Sequence, residues 1–350
     1  MRPLSDAVLD HLCRVADGPD LSGTKYELVE KIAQGGMACV YLARDRGLDR
    51  PVALKVLCDP PSDPQARNRL ANEARIIARL EHPAIVPVHD AGILPDGRVY
   101  YAMKLVRGQR LDEYVDRCTP QSDLLTIFEK ICQAVAFAHA HGVIHRDLKP
   151  QNIMVGSFGE VLVMDWGVAK VLGETALAIC SPATNASIAS VGSKSNTAHG
   201  TILGTPGYMA PEQARGDVEL VDARTDVYAL GAILHFLLTS RPPVAATRAE
   251  PGGCQQSAGL EEQGQNPPSL PRALEAICRK ALAVSQSERY QSVEALAADI
   301  ARFQAQRPVE AHAERFFEKA ARLAVKYRTA IALVLAYLAM RIVFLFLPGS

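Results

Sequence analysis

The sequence predicts an α+β protein of two parts, a small β-rich N-terminal part followed by a larger helical part. Residues 26–106 contain short alternating apolar runs, separated by Gly or charged turns, with one stretch of helical periodicity among them. Residues 107–306 have mainly helical patterns. A strongly apolar stretch, residues 329–347, follows and predicts an additional C-terminal hydrophobic helix.

Five elements can be predicted with their boundaries. Three β-type runs cover Tyr26–Ile32, Cys39–Asp45 and Pro51–Leu57. The apolar residues between Pro64 and Leu80 recur with helical spacing, and Leu124–His141 is an amphipathic run that Gly142 stops.

Composition limits the kind of protein. The 350 residues carry 38 Lys+Arg and 38 Asp+Glu, a balance that argues against a chain-wide basic surface, so we expect no nucleic-acid partner. The mix of 48% hydrophobic and 22% charged residues is that of a globular protein. The eight cysteines form no CxxC pair, which favours reduced thiols in a cytosolic compartment. The first residues are charged and lack the apolar core of a secretory signal.

Polar and small residues predict the flexible parts of the chain. Residues 1–25 are expected to form a weakly ordered lead. Residues 173–200 are rich in Ala, Ser, Thr and Gly, and residues 241–271 in Pro, Gly and Gln, so both are predicted to be loops.

Two features near the N-terminus suggest phosphate binding. Small residues in the run Ile32–Val40 allow backbone amides to approach a polyphosphate, although a Gly-Gly hairpin without ligand explains the same pattern. Lys55 ends an apolar strand and needs an anionic partner if it is buried; Glu73, on the predicted helix, is the candidate. The alternative is a surface lysine at a strand end.

A stronger signal is the octapeptide HRDLKPQN, residues 145–152, which follows the Gly-stopped helix. Asp147 can accept or orient a hydroxyl proton, and Lys149 can offset charge on a transferring group. An apolar run, residues 161–164, leads into Asp165. Asn152 and Asp165 offer oxygen ligands of the kind that Mg²⁺ takes together with phosphate oxygens and water.

Taken together, residues 26 to about 306 resemble the bacterial eukaryotic-like (Hanks-type) serine/threonine protein kinases. The family's motifs occur in order: the glycine-rich loop, VALK, the helix glutamate, HRDLKPQN, DWG, GTPGYMAPE, DVYALG and a late Arg-Tyr pair. The resemblance implies the bilobal protein-kinase fold, with a β-rich N-lobe at 26–106 and a helical C-lobe at 107–306. It also implies ATP-dependent phosphorylation of Ser or Thr hydroxyls in protein substrates, with Mg²⁺, or Mn²⁺ in its place.

The resemblance also assigns roles to single residues. Asp147 would be the catalytic aspartate, supported by Lys149; Lys55, paired with Glu73, would hold the α- and β-phosphates; and Asn152 and Asp165 would be the metal ligands. The implied nucleotide-binding residues are the loop Ile32, Ala33, Gln34, Gly35, Gly36, Met37, Ala38, Cys39 and Val40, then Ala53 and Met154 around the purine, the gatekeeper Met103, and the hinge Lys104, Leu105 and Val106.

The implied activation segment, residues 165–212, is longer than is common in the family because of the 173–200 insert. Thr197 and Thr201 are candidate autophosphorylation sites that Arg146 would clamp, and the alternative is a solvated Ser/Thr-rich linker. Glu212 and Arg289 resemble the ion pair that anchors the segment, and Asp226 the residue that braces the catalytic loop.

Three residues depart from the family pattern. Ala33 and Ala38 replace loop glycines, and Trp166 stands where phenylalanine is usual. These departures are the only support for a nucleotide-binding pseudokinase, the main alternative. A small-molecule kinase is a third interpretation, which the intact GTPGYMAPE stretch disfavours.

The C-terminal stretch predicts a membrane anchor. Residues 329–347 suffice to span a hydrocarbon core of about 30 Å, and the basic residues of a juxtamembrane helix at 307–328 would keep the kinase domain cytoplasmic. Arg341 opposes insertion by about 2.5–3.5 kcal/mol, although near a helix end its side chain can snorkel. The expected location is the cell membrane, with a single span, and the alternative is a cytoplasmic protein whose apolar helix docks on the C-lobe or a partner. We expect a sensor domain after the span to be either absent or missing because the reading frame is truncated.

Overall fold

The computed structural model describes most of both predicted parts. The described residues are 18–58, 64–116, 119–167, 169–171, 207–243 and 270–312, together with seven helical positions between 333 and 341. The predicted loop at 173–200 and most of the one at 241–271 lie outside these ranges.

The N-terminal part is a five-stranded antiparallel sheet with one helix on its inner face. The strands lie in the order β1-β2-β3-β5-β4. Their bounds are β1 Tyr26–Gln34, β2 Ala38–Asp45, β3 Arg50–Leu57, β4 Val88–Ile93 and β5 Val99–Lys104, and helix α1 covers Pro64–Arg79.

The alternation of side chains along these strands divides the core between the two faces of the sheet. On the outer face a small cluster forms around Tyr26, Leu54 and Tyr100. On the inner face Leu70 and Ile77 of α1 belong to the large core that continues into the helical part. Apolar contacts thus hold helix α1 against the sheet, so its polar residue Glu73 is free to contact Lys55.

The C-terminal part is mainly helical, with short strands near the junction of the two parts. The helices are α2 Leu111–Tyr114, α3 Gln121–Ala140, α4 Pro211–Ala214, α5 Ala223–Thr239, α6 Arg272–Ala281 and α7 Val293–Gln304. The short strands are β6 Gly108–Arg110, β7 Val143–Ile144, β8 Ile153–Gly156, β9 Val161–Val163 and β10 Lys170–Val171.

Helix α5 forms the centre of the C-terminal part. Asp222 caps its N-terminus by accepting a hydrogen bond from the Arg224 amide, and Ser240, with φ of 56°, ends it in the left-handed region. Nearly every residue from Thr225 to Leu237 is buried. An apolar helix that is covered on all sides gives the surrounding loops a rigid support.

The bilobal α+β prediction is confirmed. The three predicted strands and both predicted helices are present, and Gly142, with φ of 73°, follows α3 as predicted. Strands β6–β10 were not predicted except for the run at 161–164, because two to four residues are too few to show a period of two.

The predicted C-terminal helix lies largely outside the described residues. The seven described positions between 333 and 341 are helical and exposed, and Leu333, Val334 and Tyr337 are among them. Within the part of the chain that the structure describes, no helix combines the length and apolar character needed to cross a bilayer.

A buried carboxylate fastens the end of the C-terminal part. Asp299, on α7, accepts hydrogen bonds from the Tyr290 hydroxyl at 2.8 Å and from Arg302 at 2.6 Å. It also accepts bonds from the backbone amides of Glu310 at 2.8 Å and Ala311 at 3.0 Å. We call these four bonds the Asp299 clasp: the two amide bonds hold the chain after α7 against that helix, and the bonds from Tyr290 and Arg302 hold the carboxylate in place.

A second buried carboxylate, Glu212, joins α4 to the segment between α6 and α7. The Arg289 guanidinium donates to both oxygens of Glu212 at 2.8 Å, and both side chains are buried. The Thr225 hydroxyl and the Gln286 amide also donate to Glu212, at 2.9 and 3.0 Å. Although burial raises the pKa of Glu212, the bonds from Arg289 outweigh it and lower the pKa to about 2.

Replacing Glu212 with Gln would leave the buried Arg289 charge unpaired, so we expect the free energy of unfolding at pH 7 to fall by about 3–5 kcal/mol. Because the pKa of Glu212 is lowered from 4.5 to about 2, its stabilisation is present above pH 4.5 and is lost as the pH falls toward about 2. The difference between variant and wild type should therefore shrink over that interval. Urea unfolding at a series of pH values measures it.

The matched control is Glu219→Gln, since Glu219 lies in the turn after α4 and is exposed. It should unfold like the wild type at every pH. A Glu212→Gln deficit that stayed constant down to pH 2.5 would contradict the assigned pairing.

Candidate active site

The loop between β7 and β8 is braced from beneath by a fully buried carboxylate, Asp226 of α5. Its oxygens accept the backbone amides of His145 at 2.8 Å and Arg146 at 2.9 Å, and it pairs with His139 Nε2 at 2.7 Å. Burial raises the pKa of Asp226, but the bonds from His139 and the amides lower it below its ordinary value. Arg146 has a φ of 72°, a conformation that strains a residue with a Cβ, so the loop needs these bonds.

Asp147 follows directly in this loop and is oriented by two neighbours. Lys149 Nζ donates to Asp147 Oδ2 at 2.8 Å, and Asn152 Nδ2 donates to the same oxygen at 3.3 Å and to the Asp147 carbonyl at 2.8 Å. Because both side-chain bonds reach Oδ2, the other oxygen is left to accept a proton from a hydroxyl group. The side chains of Asp147 and Lys149 are 22% and 20% exposed, so a substrate can reach them.

The rings of His145 and Trp166 are in tilted contact behind this loop, with 51° between their planes. His145 Nδ1 accepts the Asp147 amide at 3.3 Å, and Nε2 faces the Met164 carbonyl at 3.0 Å; these partners assign the neutral Nε2–H tautomer. The ring centroids of His145 and Trp166 are 4.6 Å apart, and the Trp166 indole donates to the Val163 carbonyl at 3.4 Å. Trp166 is fully buried, so the larger ring is accommodated where the family has phenylalanine.

The β8–β9 ladder brings Asn152 and Asp165 to the same end of the small sheet. The Met164 amide donates to the Asn152 carbonyl at 2.8 Å, one residue before Asp165. Asp165 has a φ of 60°, which turns the chain sharply after the strand. A bridge between Ile85 and Val163 ties this strand to the segment between α1 and β4, so both parts of the molecule support Asp165.

Lys55 lies between two carboxylates from different elements. Its Nζ is 2.7 Å from Glu73 Oε1, on α1, and 3.0 Å from Asp165 Oδ1. The Glu73 side chain is fully buried, whereas that of Asp165 is 49% exposed. The structure therefore brings together the three charged residues that the sequence predicted for holding phosphates and metal.

The charges of this cluster are unequal, since one ammonium faces two carboxylates. Burial lowers the pKa of Lys55, but Glu73 and Asp165 raise it above its ordinary value. Burial raises the pKa of Glu73, and Lys55 compensates only in part. Asp165 has a lowered pKa because Lys55 outweighs the effect of burial. Lys55 thus stays charged, and the buried Glu73 is the member of the cluster that is hardest to keep ionised.

Sequence reasoning missed one polar residue of this cluster. The Tyr101 hydroxyl, on β5, donates to Glu73 Oε1 at 2.9 Å in a buried position. Tyr101 lies two residues before Met103 and so on the same face of the strand, which is the signal that could have identified it.

The glycine-rich run forms the turn between β1 and β2. The Gly35 amide donates to the Ala38 carbonyl at 2.9 Å, and Gly36 has open space where a Cβ would stand. Ala33 and Ala38 lie on the strands beside the turn, and neither has a positive φ. Alanine at these two positions therefore introduces no left-handed strain.

The residues predicted to contact a purine share the inner face of the sheet near this turn. Val40 is opposite Lys55 in the β2–β3 pairing, and Ala53 is opposite Met103 in the β3–β5 pairing. Lys104 follows Met103 at the end of β5, and its amide donates to the Pro87 carbonyl at 3.1 Å. The remaining predicted residues, Leu105, Val106 and Met154, are partly buried beside the core.

Thr197 and Thr201, the candidate phosphorylation sites, lie outside the described residues. His139, His141 and His145 are close together in the sequence but have separate partners, which are Asp226, the Phe137 carbonyl and the Met164 carbonyl.

Most of the chain is similar to known protein kinases. The family model described as "Protein kinase domain" matches residues 26–300. Two curated relatives are serine/threonine-protein kinase PknD of Protochlamydia amoebophila, 35% identical over 79% of this chain, and serine/threonine-protein kinase PknB of Mycolicibacterium smegmatis, 38% identical over 81%. The matches span 29% and 44% of those relatives, so the chain covers less than half the length of either.

A solved structure gives the same result for the fold. The crystal structure of the Mycobacterium tuberculosis PknI kinase domain is matched with a TM-score of 0.55 and 28% sequence identity. The match covers 80% of this chain and 96% of that domain.

Proposed function

The chain belongs to the protein kinase family, and on this premise we propose that it is a serine/threonine protein kinase that transfers the γ-phosphoryl group of ATP to protein hydroxyls. The observation that carries the proposal is the convergence of Asp147, Lys149, Lys55 and Asp165, from both parts of the fold, on one site. Each has the charge that phosphoryl transfer requires at its position.

The nucleotide would lie against the inner face of the sheet. Val40, Ala53 and Met103 would offer an apolar surface for the purine, Met154 of the C-terminal part would contact its other face as the resemblance implies, and the hinge 104–106 would offer backbone groups. The turn at Gly35 and Gly36 would cover the phosphates, since its backbone can approach them without a Cβ in the way. Lys55 would hold the α- and β-phosphates.

A divalent cation, Mg²⁺ or Mn²⁺, fits the donor set beside the phosphates. The side-chain nitrogen of Asn152, Nδ2, donates to Asp147, which leaves the side-chain oxygen Oδ1 as a ligand. Asp165 provides a half-exposed carboxylate. These hard oxygen donors are too few for a complete protein cage, which is the pattern of a site that phosphate oxygens and water complete. When bound, the cation neutralises charge on the phosphate oxygens.

The transfer itself requires orientation more than strong bases. Asp147 Oδ1 would accept the hydrogen bond of the substrate hydroxyl and aim its oxygen in line with the leaving group. Lys149, already hydrogen-bonded to Asp147, would offset the charge that develops on the transferring group. Lysine at this position, together with Thr205 in the GTPGYMAPE stretch, supports Ser/Thr substrates rather than tyrosine by resemblance to that branch of the family.

The decisive experiment is phosphoryl transfer from labelled ATP, with Mg²⁺, to the chain itself and to a generic basic protein. We expect label on Ser and Thr after hydrolysis, and a loss of at least about 100-fold in Asp147→Asn and in Lys55→Met, since each removes a group from the transition state. Lys130→Met is the matched control, because Lys130, on α3, donates to the Gly159 carbonyl rather than to a residue of the proposed site. Nucleotide binding without any transfer would favour the pseudokinase instead.

We also propose that the kinase phosphorylates itself at Thr197 or Thr201. Arg146, which directly precedes Asp147, lies where a guanidinium could pair with a phosphate on the activation segment. Its backbone is held by Asp226 and by Gln213, whose amide donates to the Arg146 carbonyl at 2.7 Å. A phosphothreonine paired with this fixed arginine would order the segment.

Mass spectrometry of the chain after incubation with ATP and Mg²⁺ should locate phosphate at one or both threonines. Thr197→Ala with Thr201→Ala should lower the activity on a second substrate by about tenfold, the factor that one or two charge-assisted hydrogen bonds supply. Thr126→Ala, on the exposed face of α3, should change neither the position of the phosphate nor the activity on the second substrate. Phosphate confined to residues outside 165–212 would contradict the assignment.

The apolar C-terminal stretch is proposed as a membrane anchor that leaves the kinase domain in the cytoplasm. Its composition supports this, and so does the exposure of Leu333, Val334 and Tyr337, since exposed large apolar side chains in a helix need a cover. The alternative cover is the C-lobe or a partner protein.

Flotation with phospholipid vesicles distinguishes these covers. The full chain should float with the vesicles, should resist extraction by alkaline carbonate, and should become soluble when the chain is cut after residue 312. A double substitution, Val334→Lys with Leu338→Lys, should reduce flotation strongly because a charge near the middle of a span costs about 2.5–3.5 kcal/mol. A monomeric full chain that remains with the aqueous fraction would identify the docked helix.

A further inference from the structure

In the part of the chain that the structure describes, Tyr101 is the one polar side chain that bonds to the Lys55–Glu73 pair without a role in a sequence motif or in the proposed mechanism. It lies directly opposite Lys55 in the β3–β5 pairing, so the two side chains leave the same face of the sheet. Lys55 Nζ is 5.9 Å from the centroid of the Tyr101 ring. The side chain of Tyr101 is 1% exposed, so its hydroxyl must find a partner inside the protein.

That partner is the same oxygen of Glu73 that Lys55 uses. Glu73 Oε1 accepts from Tyr101 at 2.9 Å and from Lys55 at 2.7 Å. Among the described residues, Glu73 Oε2 has no hydrogen-bond partner and lies near Gly167. The orientation of this buried carboxylate therefore depends on two donors that meet at one atom.

Without the hydroxyl, Lys55 would be the only donor to Glu73, and Lys55 has a second acceptor in Asp165 at 3.0 Å. The ammonium would then move toward Asp165, which is more exposed and carries its own charge at the proposed metal position. Tyr101 thus influences whether the Lys55 ammonium lies nearer to Glu73 or to Asp165, although Tyr101 would contact neither nucleotide nor substrate.

We propose that Tyr101 is a positioning residue for the nucleotide phosphates, whose hydroxyl holds Glu73 in the orientation that keeps Lys55 directed at them. The inference rests on the proposed kinase function, since it assigns Lys55 to the phosphates. It also means that α1 is tied by a polar bond to β5 as well as to β3, so a displacement of α1 breaks two bonds to Glu73 together.

The chain supplies a matched comparison for this role. Tyr100, the neighbouring residue, points to the outer face of the sheet, where its ring meets Tyr26 edge-on at 6.0 Å. Tyr101→Phe and Tyr100→Phe each remove one oxygen from a buried tyrosine of β5 and keep the ring. Only the first change removes a bond to Glu73.

The test is the affinity of the full chain for ADP and for adenosine, measured by calorimetry, together with kcat and KM for ATP. We expect Tyr101→Phe to reduce the ratio of the adenosine Kd to the ADP Kd by about tenfold, the factor that one hydrogen bond to a charged group is worth, and to leave the adenosine Kd unchanged. We expect kcat to fall more than KM rises. Tyr100→Phe should leave all four quantities as in the wild type.

Several results would overturn the proposal. One is a Tyr101→Phe chain that keeps the wild-type ratio. Another is a loss of affinity for adenosine and ADP in equal proportion with a lowered melting temperature, which identifies a purely structural role. A wild-type chain that binds ADP more tightly than adenosine but transfers no phosphate would refute the kinase function alone, because the ratio would still decide the role of Tyr101. A wild-type chain with no preference for ADP would refute both.

Discussion

The geometry of the site depends first on the buried Asp226 carboxylate. The catalytic loop passes through a left-handed conformation at Arg146, which a residue with a Cβ avoids unless its surroundings impose it. Asp226 imposes it by accepting two consecutive amides of the loop, and the covered helix α5 holds Asp226 in place. Asp147 is the next residue, so its position follows from this brace. A fully buried carboxylate thus determines where the Asp147 carboxylate lies.

The second constraint joins the two parts of the fold. Lys55 belongs to the sheet, Glu73 to the helix upon it, and Asp165 to a turn of the helical part. An oxygen of each of the two carboxylates nevertheless lies within 3.0 Å of Lys55 Nζ. Two carboxylates around one ammonium leave an excess of negative charge. Burial raises the pKa of Glu73, so Glu73 is the carboxylate that is harder to keep ionised. The Lys55–Glu73 contact is therefore sensitive to any shift of α1. The Ile85–Val163 bridge limits such shifts near Asp165.

The sequence was sufficient for elements and residues that carry their own local signal. The strands around Lys55, the helix bearing Glu73 and the run from His145 to Asn152 could be predicted because periodicity and spacing are local properties. The spacing from Met103 indicates only which face of β5 Tyr101 occupies; its bond to Glu73 depends on the β3–β5 register, and the sequence of neither strand determines how strands about 45 residues apart pair. Asp299 was missed because two of its partners are backbone amides, which any residue supplies.

The Asp299 clasp has a mechanical consequence. The clasp holds the chain after α7 as far as Ala311, the last residue bonded to Asp299. Tension applied beyond Ala311 would load the two amide bonds to Asp299 before it reached α7, while Tyr290 and Arg302 hold the Asp299 carboxylate in place. Bonds that share a load in parallel resist it better than bonds that open one after another. The two amide bonds therefore protect α7 from a pull on the residues that follow it.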